Sequence, residues 1–214
     1  MTRLTLDISM SLDGFVAGRN ATLEAPLGEN GELLHEWIIA LKSWRDEHGK
    51  TGGETGVDDD VVAEHVAATG AVIMGRRMFS GGQGPWGDDP NAGGWWGDDP
   101  PFHVPVFVLT QHPREPAVME GGTTYTFVTD GIESALEQAR AAAEDRDVAL
   151  AGGASVAQQY LAAGLHDDLQ VHVAPVLLGG GVRLFADREG GALRLEPTRV
   201  LSSPAVTHLR YRVT

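Results

Sequence analysis

Three short apolar runs in this chain end in a glycine or a hydroxyl residue, and this pattern restricts its fold more than any other feature. Ala71–Met74 leads into Gly75, Val104–Thr110 ends in a threonine, and Asp147–Ala151 leads into Gly152. Runs of this length and composition are typical of strands that are buried on both faces, as in parallel sheets covered by helices. The sequence therefore predicts an α/β protein whose parallel strands end at a common edge.

Helical segments and further strands surround these runs. The first strand is indicated by Leu4, Leu6, Ile8 and Met10, which alternate with polar residues, and a loop is expected over 11–31. Four helices are expected. The first covers Glu32–Glu47, and the second runs from Asp58 to a C-terminal cap at Gly70, with Val61, Val62 and Val66 buried. The third begins at a capping box formed by Asp130 and Glu133 and ends at Ala143, and the fourth follows the glycine pair and ends at Ala163. Further strands are expected over Thr124–Val128, Leu169–Ala174, Ala192–Val200 and Val206–Val213. This order predicts a three-layer sandwich in one domain, 1–214, with a mixed, mostly parallel sheet and antiparallel C-terminal strands.

Composition excludes several functional classes. The 214 residues include 16 Lys and Arg against 30 Asp and Glu, and a formal net charge of −14 repels nucleic acid and anionic membranes. The chain has no cysteine, so disulfides, zinc–thiolate sites and cysteine nucleophiles are excluded. No apolar stretch approaches the ~20 residues of a membrane-spanning helix, and the N-terminal residues do not form a secretory signal. We therefore expect a cytoplasmic protein without nucleic-acid or membrane partners.

Residues 80–103, the tryptophan loop, have an unusual composition. They include seven glycines, four prolines and three tryptophans, so no regular element is expected there. A loop of this length in a compact protein is commonly functional. Trp86, Trp95 and Trp96 could stack on a planar ring or a partner subunit, or they could hold the loop against its own core.

The ends of the predicted parallel strands are the natural place for a ligand. Gly75 allows close backbone approach, and Arg76 or Arg77 could bind a phosphate or simply pair with carboxylates. The Thr110 hydroxyl could contact a ligand, or this residue could simply begin the turn that follows its strand. Gly152 and Gly153, between a strand and a helix, form either an anion-binding cradle of backbone N–H groups or a tight turn.

Other polar residues were considered for catalysis and metal binding. Asp13 is the candidate catalytic residue, because its carboxylate could orient or protonate a substrate; a structural Asp-Gly turn is the alternative. His103 and His172 have no partner at the spacing of metal ligands, so we expect no metal site.

Five segments together resemble a known family. They are Ser11–Ala17 (SLDGFVA), Met74–Phe79 (MGRRMF), Val108–Thr110 (VLT), Ala151–Ser155 (AGGAS) and Ala174–Gly181 (APVLLGGG). In this order they resemble the dihydrofolate reductase-like superfamily, and within it the branch that includes the reductase domain of bacterial riboflavin biosynthesis. The resemblance covers nearly the whole chain apart from 48–57 and 80–103. It implies a dihydrofolate reductase-like fold and an NADPH-dependent reductase acting on a small molecule.

The resemblance also assigns the cofactor site, with the dinucleotide lying across the carboxyl edge of the sheet. It implies that Arg76 and Arg77 hold phosphates, that Thr110 lies by the adenosine phosphate, and that the glycine pair, often joined by a cis peptide bond, takes the pyrophosphate. The implied cofactor-binding residues are Val16, Ala17, Gly75, Arg76, Arg77, Met78, Leu109, Thr110, Gly152, Gly153, Ala154 and Ser155.

The chain departs from the family pattern at three positions in or next to these segments. Met78 stands where dihydrofolate reductases usually have threonine, and Gln111 stands where an arginine often grips the 2′-phosphate. Ala151 replaces a glutamate that is common in the riboflavin-type reductases. NADH is therefore kept as an alternative cofactor, and the substrate stays unnamed. A dinucleotide-binding protein without turnover, whose tryptophan loop recognises a partner or ligand, is the alternative function.

A homodimer is expected as well. The family resemblance suggests it, and the predicted C-terminal strands leave an apolar antiparallel edge that a second subunit would cover. The residues assigned to this edge are Val171, Val173, Val176, Leu177 and Leu178.

Overall fold

A computed structural model describes residues 2–185 and 192–214. The strands are β1 (Leu4–Ser11), β2 (Phe15–Ala17), β3 (Thr69–Gly75), β4 (Pro105–Leu109), β5 (Ala117–Val118), β6 (Thr124–Val128), β7 (Asp147–Gly152), β8 (Asp168–Ala174), β9 (Val182–Arg183), β10 (Leu195–Ser202) and β11 (Thr207–Val213). The helices are α1 (Glu36–Ile39), α2 (Lys42–Glu47), α3 (Val57–Ala68), α4 (Arg76–Ser80), α5 (Ile132–Ala142) and α6 (Ala154–Ala162). Short 3₁₀ turns occur at Gly31–Leu34, Trp86–Asp88 and Glu120–Gly122.

Nine of these strands form one sheet in the order β10-β11-β8-β1-β7-β3-β4-β6-β5. The six strands from β8 to β6 run parallel to their neighbours, whereas β5, β10 and β11 pair antiparallel. β2 and β9 pair separately as a two-stranded ribbon. The predicted mixed sheet with antiparallel C-terminal strands is confirmed.

The two faces of the sheet are covered differently. On the first face, α5 and α6 pack on alternate apolar residues of the central strands, including Leu4, Leu6, Ile73 and Leu150. On the second face, α1–α3 cover the β1, β8 and β11 side, while α4 and the tryptophan loop cover β3, β4 and β6. The boundary between these two covers follows β1 and β7, where Asp7 and Ala151 are half-buried, and we call this boundary the seam.

The first predicted helix is wrong in detail. Glu32–Glu47 contains a 3₁₀ turn and the short helices α1 and α2, because Leu41 is extended (ψ 149°) and pairs with Glu54. The expected loop over 11–31 also contains β2. The helical spacing of the apolar residues does not reveal this break, because the break depends on the pairing of Leu41 with Glu54, 13 residues away.

Two predicted helix caps are also wrong. Gly70 lies inside β3, and α3 ends at Ala68 with Thr69 as its C-cap. Gly131, not Asp130, precedes α5, and no side chain caps that end. Val61 and Val62 are buried as expected, but Val66 is exposed. The strand predicted over Ala192–Val200 begins later, at Leu195, and runs to Ser202.

The structure contradicts the prediction that Val171 and Val173 lie on an exposed edge of the sheet. β8, which contains Val171 and Val173, lies inside the sheet between β1 and β11, and Val171 is buried. The antiparallel edge belongs to β10 instead, where Leu195 and Val200 are exposed. The homodimer stays a prediction on the resemblance alone. In the part of the chain that the structure describes, no helix is long and apolar enough to cross a membrane.

His166, buried beneath α6, makes a pH-dependent contribution to stability. Its Nε2 lies 3.3 Å from the Ala157 carbonyl oxygen, and burial lowers the pKa of His166 to about 4. Below its ordinary pKa of 6.5 the unfolded chain binds a proton that the folded chain does not, so stability falls as the pH drops from about 6.5 to about 4.

We expect this loss to reach about 2–3 kcal/mol near pH 4, and to shrink in His166→Gln. Urea denaturation of both proteins at pH 7 and pH 4.5 measures it. Equal losses in the two proteins would show that the acid sensitivity lies elsewhere.

Candidate functional site

The glycine pair lies at the carboxyl end of β7, as the sequence predicts. Gly152 is opposite Met74 of β3, and its φ of +125° is one that residues with a side chain rarely adopt. The peptide bond between Gly152 and Gly153 is cis, as the resemblance implies. A Cβ placed on Gly153 would meet no atom within 4 Å, and α6 begins at the next residue, Ala154. The backbone here therefore faces open space at a helix N-terminus.

Gly75, at the end of β3, lies beside this pair. A Cβ on Gly75 would be 2.8 Å from Val156 Cγ2 and 3.8 Å from Gly153 N. The missing side chain thus lets β3 and the start of α6 approach each other. Met78 and Ile8 complete the surroundings, because both come within 4 Å of a Cβ placed on Gly152. Two of the three strand ends singled out from the sequence therefore meet at one point.

Arg76 is not a free surface arginine. It is buried and forms an ion pair with Asp89 of the tryptophan loop, while the Trp86 ring lies 3.6 Å from its guanidinium carbon. Asp89 also accepts a hydrogen bond of 2.7 Å from the Ser80 hydroxyl. Burial would raise the pKa of Asp89, but these hydrogen bonds hold it below its ordinary value. The resemblance assigns Arg76 to a cofactor phosphate, but in the structure this arginine is paired with a carboxylate of the chain itself.

Two nitrogen atoms of the Arg76 guanidinium donate no hydrogen bond. Its Nε and Nη1 are buried and have no hydrogen-bond partner. Arg77, the next residue, is exposed. Of the two arginines, only Arg77 is therefore accessible without a movement of the tryptophan loop.

The tryptophans hold their loop against the sheet. Trp86 Nε1 donates to the His112 carbonyl oxygen at 2.9 Å, and Trp95 Nε1 donates to that of Met78 at 2.6 Å. Trp86 packs edge-on against Phe127, and Trp96 against Phe102. Of the two interpretations of this loop, the structure favours attachment to its own core.

Thr110 and Leu109 lie at the end of β4, the third strand end. The Thr110 hydroxyl accepts a hydrogen bond of 3.1 Å from His112 N, so it shapes the turn that follows the strand. Leu109 packs against the core of the first face. Both are half-buried.

Asp13 joins two loops near the same edge. Its carboxylate accepts hydrogen bonds from the Ser11 hydroxyl (2.6 Å) and from the backbone N–H groups of Leu178 (3.1 Å) and Gly179 (2.7 Å). The Ser11 bond, followed by the backbone bonds, lowers the pKa of Asp13. An ionised carboxylate with these partners favours the structural alternative, in which Asp13 fastens the motif Ala174–Gly181 beside Val16 and Ala17 of β2.

The sequence analysis missed a polar group on the second face. Asp7, His172 and His208 lie on adjacent strands beneath α1 and α3 and are joined by hydrogen bonds. Among residues 2–185 and 192–214, no cluster of three or more His, Asp or Glu side chains has the geometry to hold a metal ion. The available signal was the polar side of β1, on which Asp7 alternates with the apolar residues.

Comparison with known proteins identifies the family. The profile of the RibD C-terminal domain matches residues 2–209. The chain belongs to the RibD C-terminal domain family. The uncharacterized protein YyaP of Bacillus subtilis (strain 168) is 26% identical over 212 residues, covering 95% of this chain and 92% of YyaP.

Solved structures support the same fold. A Shewanella sp. PV-4 protein assigned to riboflavin biosynthesis has a TM-score of 0.63 at 20% identity, covering 100% of this chain and 99% of its own. RibD of Acinetobacter baumannii has a TM-score of 0.58 at 19% identity, covering 100% of this chain and 58% of RibD. Enterococcus faecalis dihydrofolate reductase, complexed with NADP(H), has a TM-score of 0.50 at 14% identity, covering 99% and 96%. The RibD C-terminal domain family is reductase-like, and the predicted dihydrofolate reductase-like fold is confirmed.

Proposed function

We propose that this RibD C-terminal domain protein is a reductase that uses a nicotinamide dinucleotide to reduce a small molecule. The observation that carries the proposal is the open backbone at Gly152–Gly153, at the start of α6 and beside Gly75. A pyrophosphate fits such a place, because backbone N–H groups and the positive end of the helix dipole both favour an anion. A side chain on Gly153 would fill this space.

Different residues of the chain would contact different parts of the dinucleotide. Gly152, Gly153, Ala154 and Ser155 would hold the pyrophosphate, and Val16, Ala17 and Met78 would line the nicotinamide pocket. Arg77, Leu109 and Thr110 would lie along the adenosine half. When bound, the dinucleotide supplies the hydride, and the protein supplies position and exclusion of water.

NADPH is the cofactor that we propose, following the family resemblance. NADH is the alternative, because Gln111 stands where family members often have an arginine for the 2′-phosphate, and Arg76 is already paired with Asp89. Titration with each reduced dinucleotide, followed by tryptophan fluorescence, measures both dissociation constants. Oxidation of the bound dinucleotide over a panel of small C=N and C=O compounds then tests turnover. Binding without turnover would support the dinucleotide-binding alternative, and absence of binding would overturn the proposal.

The homodimer is part of the same proposal. We expect light scattering at micromolar concentration to give about twice the chain mass of 22.8 kDa. A mass near that of one chain would contradict it. The cytoplasmic location also stays a prediction.

A further inference from the structure

Four side chains on the second face of the sheet form a continuous hydrogen-bonded chain that the proposed cofactor site does not use. Asp7 Oδ1 lies 3.1 Å from His172 Nε2, the two Nδ1 atoms of His172 and His208 are 2.7 Å apart, and His208 Nε2 lies 2.9 Å from Asp58 Oδ1. The imidazoles of His172 and His208 are only 2% and 4% exposed. We call Asp7–His172–His208–Asp58 the relay.

The fold brings these residues together from distant parts of the sequence. Asp7 lies on β1, His172 on β8 and His208 on β11, where His208 is directly opposite His172. Asp58 lies in the first turn of α3. The relay therefore crosses three adjacent strands and ends at the helix that covers them.

Counting protons shows what the relay must hold. Its three hydrogen bonds need three protons, one in each, because every bond joins two atoms that accept when unprotonated. Two neutral imidazoles supply only two. The relay therefore contains one proton beyond two neutral histidines and two carboxylates, and removing that proton leaves two lone pairs facing each other across one bond.

The surroundings favour this extra proton. The Trp37 ring lies 4.8 Å from the His172 ring and 5.3 Å from the His208 ring, and an aromatic neighbour stabilises a cationic imidazole. The second oxygen of each carboxylate is also satisfied: Gln170 donates to Asp7 Oδ2 at 2.6 Å, and Ser203 donates to Asp58 Oδ2 at 2.8 Å.

Other charged groups around the relay keep Asp7 ionised, so the extra proton rests on the imidazoles. Burial lowers the pKa of His208, although its hydrogen bond to Asp58 opposes this. Burial raises the pKa of Asp7, but the facing His65 and His172 outweigh it and hold that pKa well below its usual range. Arg199 of β10 pairs with Glu64 of α3, and Arg210 of β11 pairs with Asp168 and Glu64, so neither arginine pairs with a relay carboxylate.

The relay has one end at the seam and the other near the surface. The Asp7 side chain is 20% exposed and that of Asp58 is 14% exposed. Beside Asp7, His65 and Gln170 line a cavity of about 30 Å³, which has room for about two water molecules and lies toward the amino ends of β1 and β7, away from the glycine pair. Thr5 Oγ1, in a residue lining that cavity, is buried without a partner. Asp7 lies on β1 next to β7, the strand that ends at the glycine pair.

We propose that the relay is the proton source of the reductase, an inference that rests on the proposed function. Reduction of a C=N or C=O bond adds a hydride to carbon and requires a proton on the nitrogen or oxygen that receives the electron pair. His172 Nε2 gives its proton to Asp7 Oδ1, and the carboxyl then turns this oxygen away from His172 and passes the proton to that atom of a substrate in the seam. A solvent proton entering at Asp58 restores the relay through His208. Asp7 is then the catalytic residue, and the other three are positioning and proton-transfer residues.

The stored proton can be tested on the wild-type protein without any substrate. Nitrogen-15 NMR of the histidine rings at pH 7 should show three N–H protons shared by His172 and His208. Two N–H protons, or four, would overturn the proposal. This measurement does not depend on cofactor binding, so its failure is distinct from failure of the proposed reductase function.

Delivery of the proton is tested by Asp58→Asn and His208→Gln, with His166→Gln as a control for loss of a buried histidine outside the relay. We expect kcat to fall about 100-fold in the relay variants, the lower end for general acid catalysis, with an unchanged cofactor Kd. Their remaining rate should fall tenfold per pH unit between about pH 6 and 8, while the wild-type rate stays level. A normal kcat with a level pH profile in the relay variants would overturn delivery. A wild-type protein that binds cofactor but reduces no acceptor would overturn both the reductase and the relay's role in it.

Discussion

Replacing Gly153 with valine is expected to abolish dinucleotide binding with little effect on the free energy of unfolding. The backbone of Gly153 is extended (φ −82°, ψ −171°), and its Cβ position is empty, so the folded protein accommodates the side chain. A pyrophosphate in the same space would clash with the valine. Loss of two hydrogen bonds to a charged group costs about 3–6 kcal/mol, which corresponds to at least about 100-fold in Kd.

Gly93→Val is the matched control, because Gly93 also has an empty Cβ position and no positive φ. Fluorescence titration with reduced dinucleotide gives Kd for both variants, and urea denaturation gives their stabilities. If Gly153→Val were less stable yet gained the wild-type stabilisation from cofactor, the glycine pair would be a tight turn and not a cradle.

Replacing Arg76 with alanine is expected to destabilise the protein by about 3–5 kcal/mol, because it leaves the buried Asp89 carboxylate unpaired. The resemblance, which assigns Arg76 to a cofactor phosphate, would instead predict a weaker cofactor affinity as the main effect. Trp86 lies on the guanidinium, so the change should also loosen the tryptophan loop and alter tryptophan fluorescence. Urea denaturation measures the loss.

The double variant Arg76→Ala/Asp89→Ala separates the ion pair from packing. Removing both charges should recover part of the stability lost in Arg76→Ala, since no buried charge remains unpaired. Arg77→Ala, at the exposed neighbour, should have stability within about 0.5 kcal/mol of wild type. Strictly additive effects of the two substitutions would show that Asp89 and Arg76 do not stabilise each other.

The parallel strands were predictable because their burial on both faces leaves a local pattern. Ala71–Met74 and Thr124–Val128 are apolar or strand-forming along their whole length, and both lie in strands of the structure. The position of the glycine pair was also predictable, because a buried strand gives way to a helical pattern at these residues. These signals lie within a few consecutive residues.

The helix break at Leu41 and the partner of Arg76 were not predictable in this way. Leu41 is extended because Glu54 pairs with it, and Arg76 is buried because the tryptophan loop folds back over α4. Both outcomes depend on contacts between segments separated by 13 residues, and no local spacing encodes them.

By itself, the sequence determined the order of strands and helices, the mixed sheet and the position of the glycines at a strand end, because hydrophobic period and glycine placement act locally. Only the tertiary structure decided which polar residues are covered. Asp7 and His172 lie on adjacent strands and His208 on the next, so they meet through sheet pairing, while α1 and α3 remove them from water. Strand pairing and helix cover are long-range contacts, and they convert an ordinary polar strand face into a buried, charged hydrogen-bonded chain.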